Sequence, residues 1–114
     1  MPSVDKDEVL VKVRLAAICG TDLELARGYY DFDGVPGHEF VGEIASGPEQ
    51  GQRVVADINI GCWQCSDCQN GRFHHCSERS VLGIKARGGA FSEYVAIPRR
   101  NLVAVNSDTS DEIA

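Results

Sequence analysis

Four of the five cysteines lie within one short stretch of the sequence, at Cys62, Cys65, Cys68 and Cys76. Thiolates separated by two-residue gaps can wrap around one ion, and closed structural zinc sites bind four of them in a tetrahedron at about 2.3 Å. Trp63 and Phe73 are the only bulky apolar side chains over residues 61–80. We therefore predict a zinc lobe at about 61–80, in which the metal supplies the order that a small apolar core cannot.

Two other arrangements of these cysteines are consistent with the sequence. A CxxC pair could be redox-active, or the four thiols could form two disulfides, although three cysteines at i, i+3 and i+6 suit a single ion better. His74 or His75 could also replace one thiolate as a ligand. Since four cysteines already complete a tetrahedral set, we expect both histidines to lie outside it.

A second group of candidate metal ligands lies outside the lobe, at Cys19, His38 and Glu39. Each residue falls at the end of a predicted strand or at the start of a loop. Three protein ligands with one open position are typical of catalytic zinc sites, in which the ion polarises an oxygen substrate. From spacing alone, the alternative stays open that these are a buried cysteine, a core histidine and a surface glutamate.

The elements that would position these residues are mostly short strands. Residues 8–16 alternate as a half-buried strand does, and its inward side would carry Val9, Val11, Val13 and Leu15. Further strand patterns, separated by turn signals, cover 40–45, 53–60, 91–97 and 102–105. These patterns predict a mainly β fold, a small barrel from which the cysteine lobe is an excursion.

One short helix is predicted over residues 22–27. Thr21 and Glu24 have the spacing of a capping box, and Gly28 follows where the helix would end. Cys19 then lies just before the helix N-terminus, where the positive end of the helix dipole favours a thiolate over a thiol. Capping candidates and acidic residues over 106–114 predict the start of a second helix.

Composition limits the classes of protein to which the chain can belong. Its 114 residues provide one domain, 1–114, with a modest core. A net charge of −6, a pI near 4.9 and scattered Lys and Arg residues argue against a nucleic-acid partner. No run approaches the ~18 apolar residues of a membrane span and no signal peptide pattern is seen, so we expect a cytoplasmic protein without membrane partners.

Five motifs in one order connect these patterns to a known family. They are ICGTD at 18–22, PGHEFVG at 36–42, GQRV at 51–54, the four-cysteine array, and GGAFSEYV at 88–95. Together they resemble the N-terminal GroES-like catalytic domain of the zinc-dependent medium-chain alcohol and polyol dehydrogenases. The resemblance covers nearly the whole chain and implies a partly open β-barrel, a fold that in this family normally precedes a nucleotide-binding Rossmann domain.

The resemblance also implies roles for individual residues. Cys19 and His38 would be catalytic zinc ligands, and Glu39 would be either a direct ligand or a carboxylate behind the ligands. Asp22 would accept a hydrogen bond from the metal-bound imidazole, or would simply be a favourable charge in the first helical turn. Thr21 would start a proton relay from the substrate hydroxyl, or would only cap the helix. The family's relay ends at a histidine where this chain has Glu24, so a carboxylate or water would replace it.

The sequence departs from the family pattern in three places. It shows no hairpin before the first strand, no Gly-x-Gly-x-x-Gly motif for a dinucleotide and no further zinc ligand. We therefore expect part of a longer enzyme that oxidises an alcohol or polyol with NAD(P)⁺, and we expect the chain alone to be inactive. One structural zinc would be held tightly, and the catalytic zinc weakly or not at all. Two further interpretations stay open, namely a homo-oligomer and a free-standing, non-catalytic zinc-binding or interaction module.

Overall fold

A computed structural model describes residues 4–26 and 34–113. The α-helices are α1 (Gly20–Ala26) and α2 (Ser66–Gln69), and short 3₁₀ turns cover Phe73–His75 and Arg99–Asn101. The strands are β1 (Glu8–Ala17), β2 (Glu39–Ile44), β3 (Arg53–Ala56), β4 (Asn59–Ile60), β5 (Ser80–Leu82), β6 (Ala86–Arg87), β7 (Tyr94–Pro98) and β8 (Leu102–Ala104). The prediction of a mainly β chain is confirmed. No helix in the described part is long and apolar enough to cross a membrane.

The strands form two sheets. The larger sheet has the order β7-β1-β2-β3-β8 with all neighbours antiparallel, and the smaller has the order β4-β5-β6. Within the described residues, β7 and β8 each pair on one side only, so the larger sheet is open. The Leu82 N–H of β5 donates to the Ile58 carbonyl between β3 and β4, which joins the two sheets at that connection.

The hydrophobic core lies where aliphatic side chains of both sheets meet. Its buried members, each less than a tenth exposed, are Val11, Ile44, Val54, Leu82, Val95, Ile97 and Leu102. Burying one such side chain stabilises a fold by about 1.5–3 kcal/mol relative to leaving it exposed. Because Leu82 comes from β5, the core also holds the smaller sheet against the larger one.

Strand β1 matches its prediction except at Leu15. Val11 is fully buried, and Val9 and Val13 pack against the core, as the alternation predicts. The pairing with β2 shifts register between Val13 and Leu15, and Leu15 is 42% exposed rather than buried. Such a β-bulge redirects the residues that follow it. The sequence alternation cannot reveal the bulge, because register is a property of the strand pair.

The predicted strand 53–60 is two strands, β3 and β4, in different sheets. The Asp57 carboxylate accepts a hydrogen bond at 3.0 Å from the Asn59 N–H, the local turn that Asp side chains readily form. The predicted apolar face continues across this break, since Val54 and Ile60 are both buried.

Helix α1 begins two residues earlier than predicted, at Gly20. Thr21 therefore lies within the first turn, and the prediction that it caps the helix is wrong. The capping interaction comes from Asp22, whose Oδ2 accepts a hydrogen bond at 2.8 Å from the Cys19 N–H. The predicted end at Gly28 lies outside the described residues.

Residues 106–113 form turns rather than the predicted helix start. An ion-pair cluster around Asp111 holds this segment against the larger sheet. Asp111 Oδ2 accepts from Arg14 Nε at 2.9 Å, and Asp111 Oδ1 accepts from Arg53 Nη1 at 2.6 Å. Arg53 Nη2 also donates to the Asn106 carbonyl at 2.8 Å. The arginines thus donate hydrogen bonds to the Asp111 carboxylate and the Asn106 carbonyl, and these bonds favour the turn over a helix.

The first prediction concerns Asp111. Hydrogen bonds from Arg14, and then from Arg53, lower the pKa of this carboxyl below its ordinary value. A lowered carboxyl pKa stabilises the fold above the unfolded-state pKa, and this contribution is lost as the pH falls through the folded-state pKa. Asp111→Asn should therefore lower the thermal unfolding midpoint at neutral pH, and the difference from the parent should shrink in acid.

Asp108→Asn is the matched control for this variant. Asp108 is an exposed carboxylate of the same turn segment, and it forms no ion pair within the described residues. Both substitutions remove one negative charge, so a change in net charge alone would affect the two proteins equally. Equal midpoints for the two variants at neutral pH would contradict the role given to the ion-pair cluster.

Candidate metal centres

The connection between β4 and β5 forms a cysteine lobe. The Sγ atoms that lie within 4.8 Å of one another belong to Cys62, Cys65, Cys68 and Cys76. Four sulfurs at about 2.3 Å from one tetrahedral ion would be about 3.8 Å apart, so small movements would accommodate zinc. All five cysteines of the chain are free thiols, and the disulfide alternative is not seen.

Backbone donors and burial act on the lobe's thiols in opposite directions. The Gln64 N–H donates to Cys62 Sγ at 3.4 Å, and this bond, together with the Cys65 N–H, lowers the pKa of Cys62 to about 6. Burial raises the pKa of Cys68 to about 12. Zinc binds thiolates, so a zinc at this site would require Cys68 to lose its proton, whereas the lowered pKa of Cys62 favours the thiolate before metal binds.

Aromatic contacts order the rest of the lobe. The ring centroids of Trp63 and Phe73 are 5.3 Å apart, so the two bulky residues of the lobe pack on each other. The Arg100 guanidinium lies 4.4 Å from the centre of the Trp63 ring, a cation–π contact from the turn before β8. The lobe is therefore attached to the barrel through Trp63 as well as through β4 and β5.

His74 and His75 lie outside the group of four sulfurs. His74 Nε2 is 2.8 Å from Asp57 Oδ2, and its ring stacks on Phe73 with centroids 4.0 Å apart. His75 is exposed. The structure thus gives His74 a partner on the barrel, which leaves the cysteines as the donor set of the lobe.

The second group of candidate ligands meets where β1 ends and β2 begins. Ala17 lies opposite Glu39 in the antiparallel register, so Cys19, just after β1, comes beside His38, just before β2. One ligand atom from each of Cys19, His38 and Glu39 lies within 4.8 Å of the other two. Strand pairing brings together residues that are far apart in the sequence.

Asp22 lies against two of the three candidate ligands, Cys19 and His38. Its Oδ2 accepts from the Cys19 N–H at 2.8 Å, and its Oδ1 lies 3.5 Å from His38 Nδ1. Among the described residues, this Oδ1 and this Nδ1 have no partner in normal hydrogen-bond geometry, although both side chains are less than a tenth exposed. A small ring rotation would let Nδ1 donate to the carboxylate. His38 Nε2 would then keep the lone pair that a metal requires.

The remaining predicted site residues are more accessible. Thr21 is half-buried, and its hydroxyl has no hydrogen-bond partner in residues 4–26 or 34–113. Glu39 is exposed at the first position of β2. Sequence reasoning missed the bond from Asp22 to the Cys19 N–H. The signal for it was available, since an acidic residue three positions after a helix cap commonly accepts from the cap N–H.

Comparison with known proteins identifies the fold. The alcohol dehydrogenase GroES-like domain matches residues 5–107. The chain belongs to this family. The expected fold, a partly open GroES-like barrel that carries a cysteine lobe, is therefore confirmed, and the two groups of donors lie within a family domain.

Similar proteins are substantially longer than this chain. L-threonine 3-dehydrogenase from Chelativorans sp. (strain BNC1) is 42% identical over 100% of this chain and 36% of its own length. A short chain alcohol dehydrogenase from E. coli CFT073, solved with NADH, has a TM-score of 0.90 and 35% identity over 99% of this chain and 35% of its own. Galactitol-1-phosphate dehydrogenase from Escherichia coli has a TM-score of 0.84 and 29% identity over 98% and 35%. The chain thus spans about a third of these relatives.

The second prediction is that Cys65→Ser removes one tightly held zinc and unfolds the lobe. Three thiolates leave the tetrahedron incomplete, and the lobe has little apolar core to replace it. Elemental analysis measures the zinc, and fluorescence of Trp63, the one tryptophan of the chain, reports on the lobe. Cys19→Ser, outside the lobe, should keep the tightly held zinc and the Trp63 fluorescence, and any zinc that it loses should be the weakly held ion of the second site. Full zinc content in Cys65→Ser would overturn the four-thiolate assignment.

Proposed function

We propose that this chain is the catalytic domain, with the lobe inserted in it, of a longer NAD(P)-dependent dehydrogenase that oxidises the hydroxyl group of an alcohol or polyol. The observation that carries the proposal is the convergence of Cys19, His38 and Glu39, with Asp22 contacting the first two. A module whose zinc is purely structural needs the cysteine lobe but has no use for this second donor set.

The second donor set suits zinc. Thiolate, imidazole and carboxylate are all zinc ligands, and three of them leave a position for substrate. The buried His38 Nδ1 and Asp22 Oδ1, which face each other without other partners in the described part, also fit, because a carboxylate behind the imidazole selects the tautomer that binds metal. Zinc would supply Lewis-acid polarisation of the substrate hydroxyl, and a nicotinamide cofactor would supply the hydride acceptor.

The chain's own residues would orient the ligands and move the proton. Asp22 accepts a hydrogen bond from the Cys19 N–H through one carboxylate oxygen, and its other oxygen, 3.5 Å from His38 Nδ1, would accept from the ring after a small rotation. Thr21 Oγ1, two residues after Cys19, is available to accept the proton of the substrate hydroxyl and pass it towards solvent, by way of water or the half-buried Glu24. Glu39 supplies either a third ligand or a nearby negative charge.

Exposed apolar side chains beside the donors support the view that a further part of the enzyme covers the site. Ile18 is 73% exposed and Leu23 is 55% exposed, and they flank the segment that carries Cys19, Thr21 and Asp22. Covering these side chains would remove apolar surface from water and exclude water from the reaction. We propose that the chain alone does not turn over substrate and that its compartment is the cytoplasm, where thiols stay reduced.

Names of the relatives suggest the first substrate to test. The first eight curated relatives, at 36–42% identity, are all L-threonine 3-dehydrogenases. The reacting group of L-threonine is a secondary hydroxyl on a small polar molecule. We propose that the substrate is a small polar molecule with a secondary hydroxyl group. Similarity to galactitol-1-phosphate dehydrogenase suggests a sugar alcohol phosphate as the alternative.

The third prediction tests the activity in a chimaera. Residues 1–114 replace the matching third of the Chelativorans L-threonine 3-dehydrogenase, and NADH formation is followed by absorbance. We expect oxidation of L-threonine, and we expect Thr21→Val to lower kcat by about 10²–10⁴-fold with zinc content unchanged, because it removes the proton acceptor.

Thr109→Val is the matched control, since Thr109 is the only other threonine and lies in the terminal turns. It should leave kcat unchanged. A chimaera that folds and binds zinc in the lobe alone, without turnover, would show that the chain is a non-catalytic zinc-binding module.

The fourth prediction concerns Asp22. The Cys19 N–H and His38 Nδ1 face different oxygens of Asp22, and an amide would place an NH₂ donor at one of these two positions, so Asp22→Asn should weaken metal binding at the second site by about 10–100-fold. Metal titration with the lobe already filled measures the effect. Asp67→Asn, which changes the first-turn acid of α2, controls for loss of a favourable helix charge. Similar affinities for the two variants would mean that Asp22 serves only the helix.

A further inference from the structure

Backbone hydrogen bonds hold the three residues that precede His38. The Gly89 N–H donates to the Val35 carbonyl at 2.7 Å, and the Ala90 N–H donates to the Gly37 carbonyl at 2.9 Å. The Phe91 N–H donates to the Pro36 carbonyl at 3.0 Å. The segment before the histidine is thus paired with the segment before β7. All three donors belong to the GGAFSEYV motif of the sequence, so this motif contacts the approach to the candidate metal site.

Three glycines make this pairing close enough to exclude any side chain. A Cβ added at Gly83 or at Gly89 would overlap the Gly37 carbonyl oxygen, and at Gly89 it would also come within 2.7 Å of the Gly83 Cα. Gly83 has a φ of +68°, a conformation that side chains disfavour. The Gly37 peptide is therefore enclosed between the backbones of two other segments.

The enclosed peptide is the one that leads directly into His38. The Gly37 carbonyl carbon is bonded to the His38 nitrogen, so the plane of this peptide determines where the His38 Cα lies and how the side chain leaves the backbone. Zinc ligands must lie within about 0.2 Å of their ideal distances. A shift of a few tenths of an ångström in this peptide is therefore enough to disturb the metal site.

We propose that the contact among Gly37, Gly83 and Gly89 positions His38 for metal binding, and that Gly83 and Gly89 are positioning residues for the second metal site. The proposal rests on the proposed function, because it requires that Cys19, His38 and Glu39 bind a metal. The proposal predicts different effects at the two metal centres. Gly83 directly follows β5 at the base of the lobe, but Gly89 lies beyond β6 and contacts the peptide that precedes His38, so a change at Gly89 should affect one centre and spare the other.

Neighbouring glycines provide a matched pair of variants, and this is the fifth prediction. A Cβ at Gly89 meets backbone atoms, whereas a Cβ at Gly88 meets nothing within 4 Å. Each protein receives one equivalent of Zn²⁺ to fill the lobe and is then titrated with Co²⁺, whose visible spectrum reports the geometry of its ligands. Gly89→Ala should lower Co²⁺ affinity by about tenfold or more and alter the spectrum, while Gly88→Ala matches the parent.

Each outcome of the titration has a distinct meaning. If neither the parent chain nor the chimaera described above binds Co²⁺ at the second site, and Cys19→Ser leaves both titrations unchanged, both the proposed function and this inference are wrong. If the parent binds Co²⁺ and Gly89→Ala binds it with the same affinity and spectrum, only the inference is wrong. If Gly89→Ala also loses the lobe's zinc, the contact supports the whole fold, and its specific role at His38 is disproved.

Hydrogen exchange on the parent with zinc in the lobe alone provides a second test that needs no variant. If the Gly37 peptide is held before metal reaches the second site, the N–H of Ala90, which donates to its carbonyl, should exchange as slowly as the amides of the core strands. Rapid exchange of the Ala90 amide in this protein would show that the segment is not held in advance. That result would overturn the inference.

Discussion

Antiparallel pairing of β1 with β2 is the interaction on which both the sheet and the second group of candidate ligands depend. β1 is paired on both sides, and its inner residues supply Val11 to the core while its end leads to Cys19. Cys19 and His38 meet because Ala17 lies opposite Glu39. A slip of one residue would turn the side chains of β1 to the other face. Core packing therefore also secures the register that brings the donors together.

Asp22 shows how much a single buried carboxylate can organise. A buried charge is costly unless hydrogen bonds satisfy it, and the Cys19 N–H and the His38 ring are the groups that face this one. The same carboxylate accepts from the N–H at the start of α1 and faces the ring of a candidate ligand. A change at Asp22 would therefore act on the start of the helix and on the surroundings of His38 together.

The lobe and the second site differed in how well the sequence could predict them. The four cysteines of the lobe are close in the sequence, so their spacing alone indicates a common site. Cys19 and His38 are distant, so their residue types and their positions at strand ends made them candidates but left a non-metal alternative open, and the family resemblance favoured a common site before the β1–β2 register was known. Two wrong predictions, the burial of Leu15 and a helix start over residues 106–113, have non-local contacts as their cause. Leu15 is exposed by a bulge in a strand pair, and arginines from the sheet hold residues 106–113 in turns.

The two strands at the base of the cysteine lobe, β4 and β5, pair with each other, and this pairing affects how the domain can vary. The chain leaves the barrel after Ile60 and returns at Ser80, and these two residues are directly opposite each other in the β4–β5 ladder. Strands that are adjacent in this way can be joined by as few as about two residues. Removing the lobe would therefore leave no gap to be bridged. Proteins with this barrel could lose the lobe, or exchange it for another, without rearranging a strand of the larger sheet.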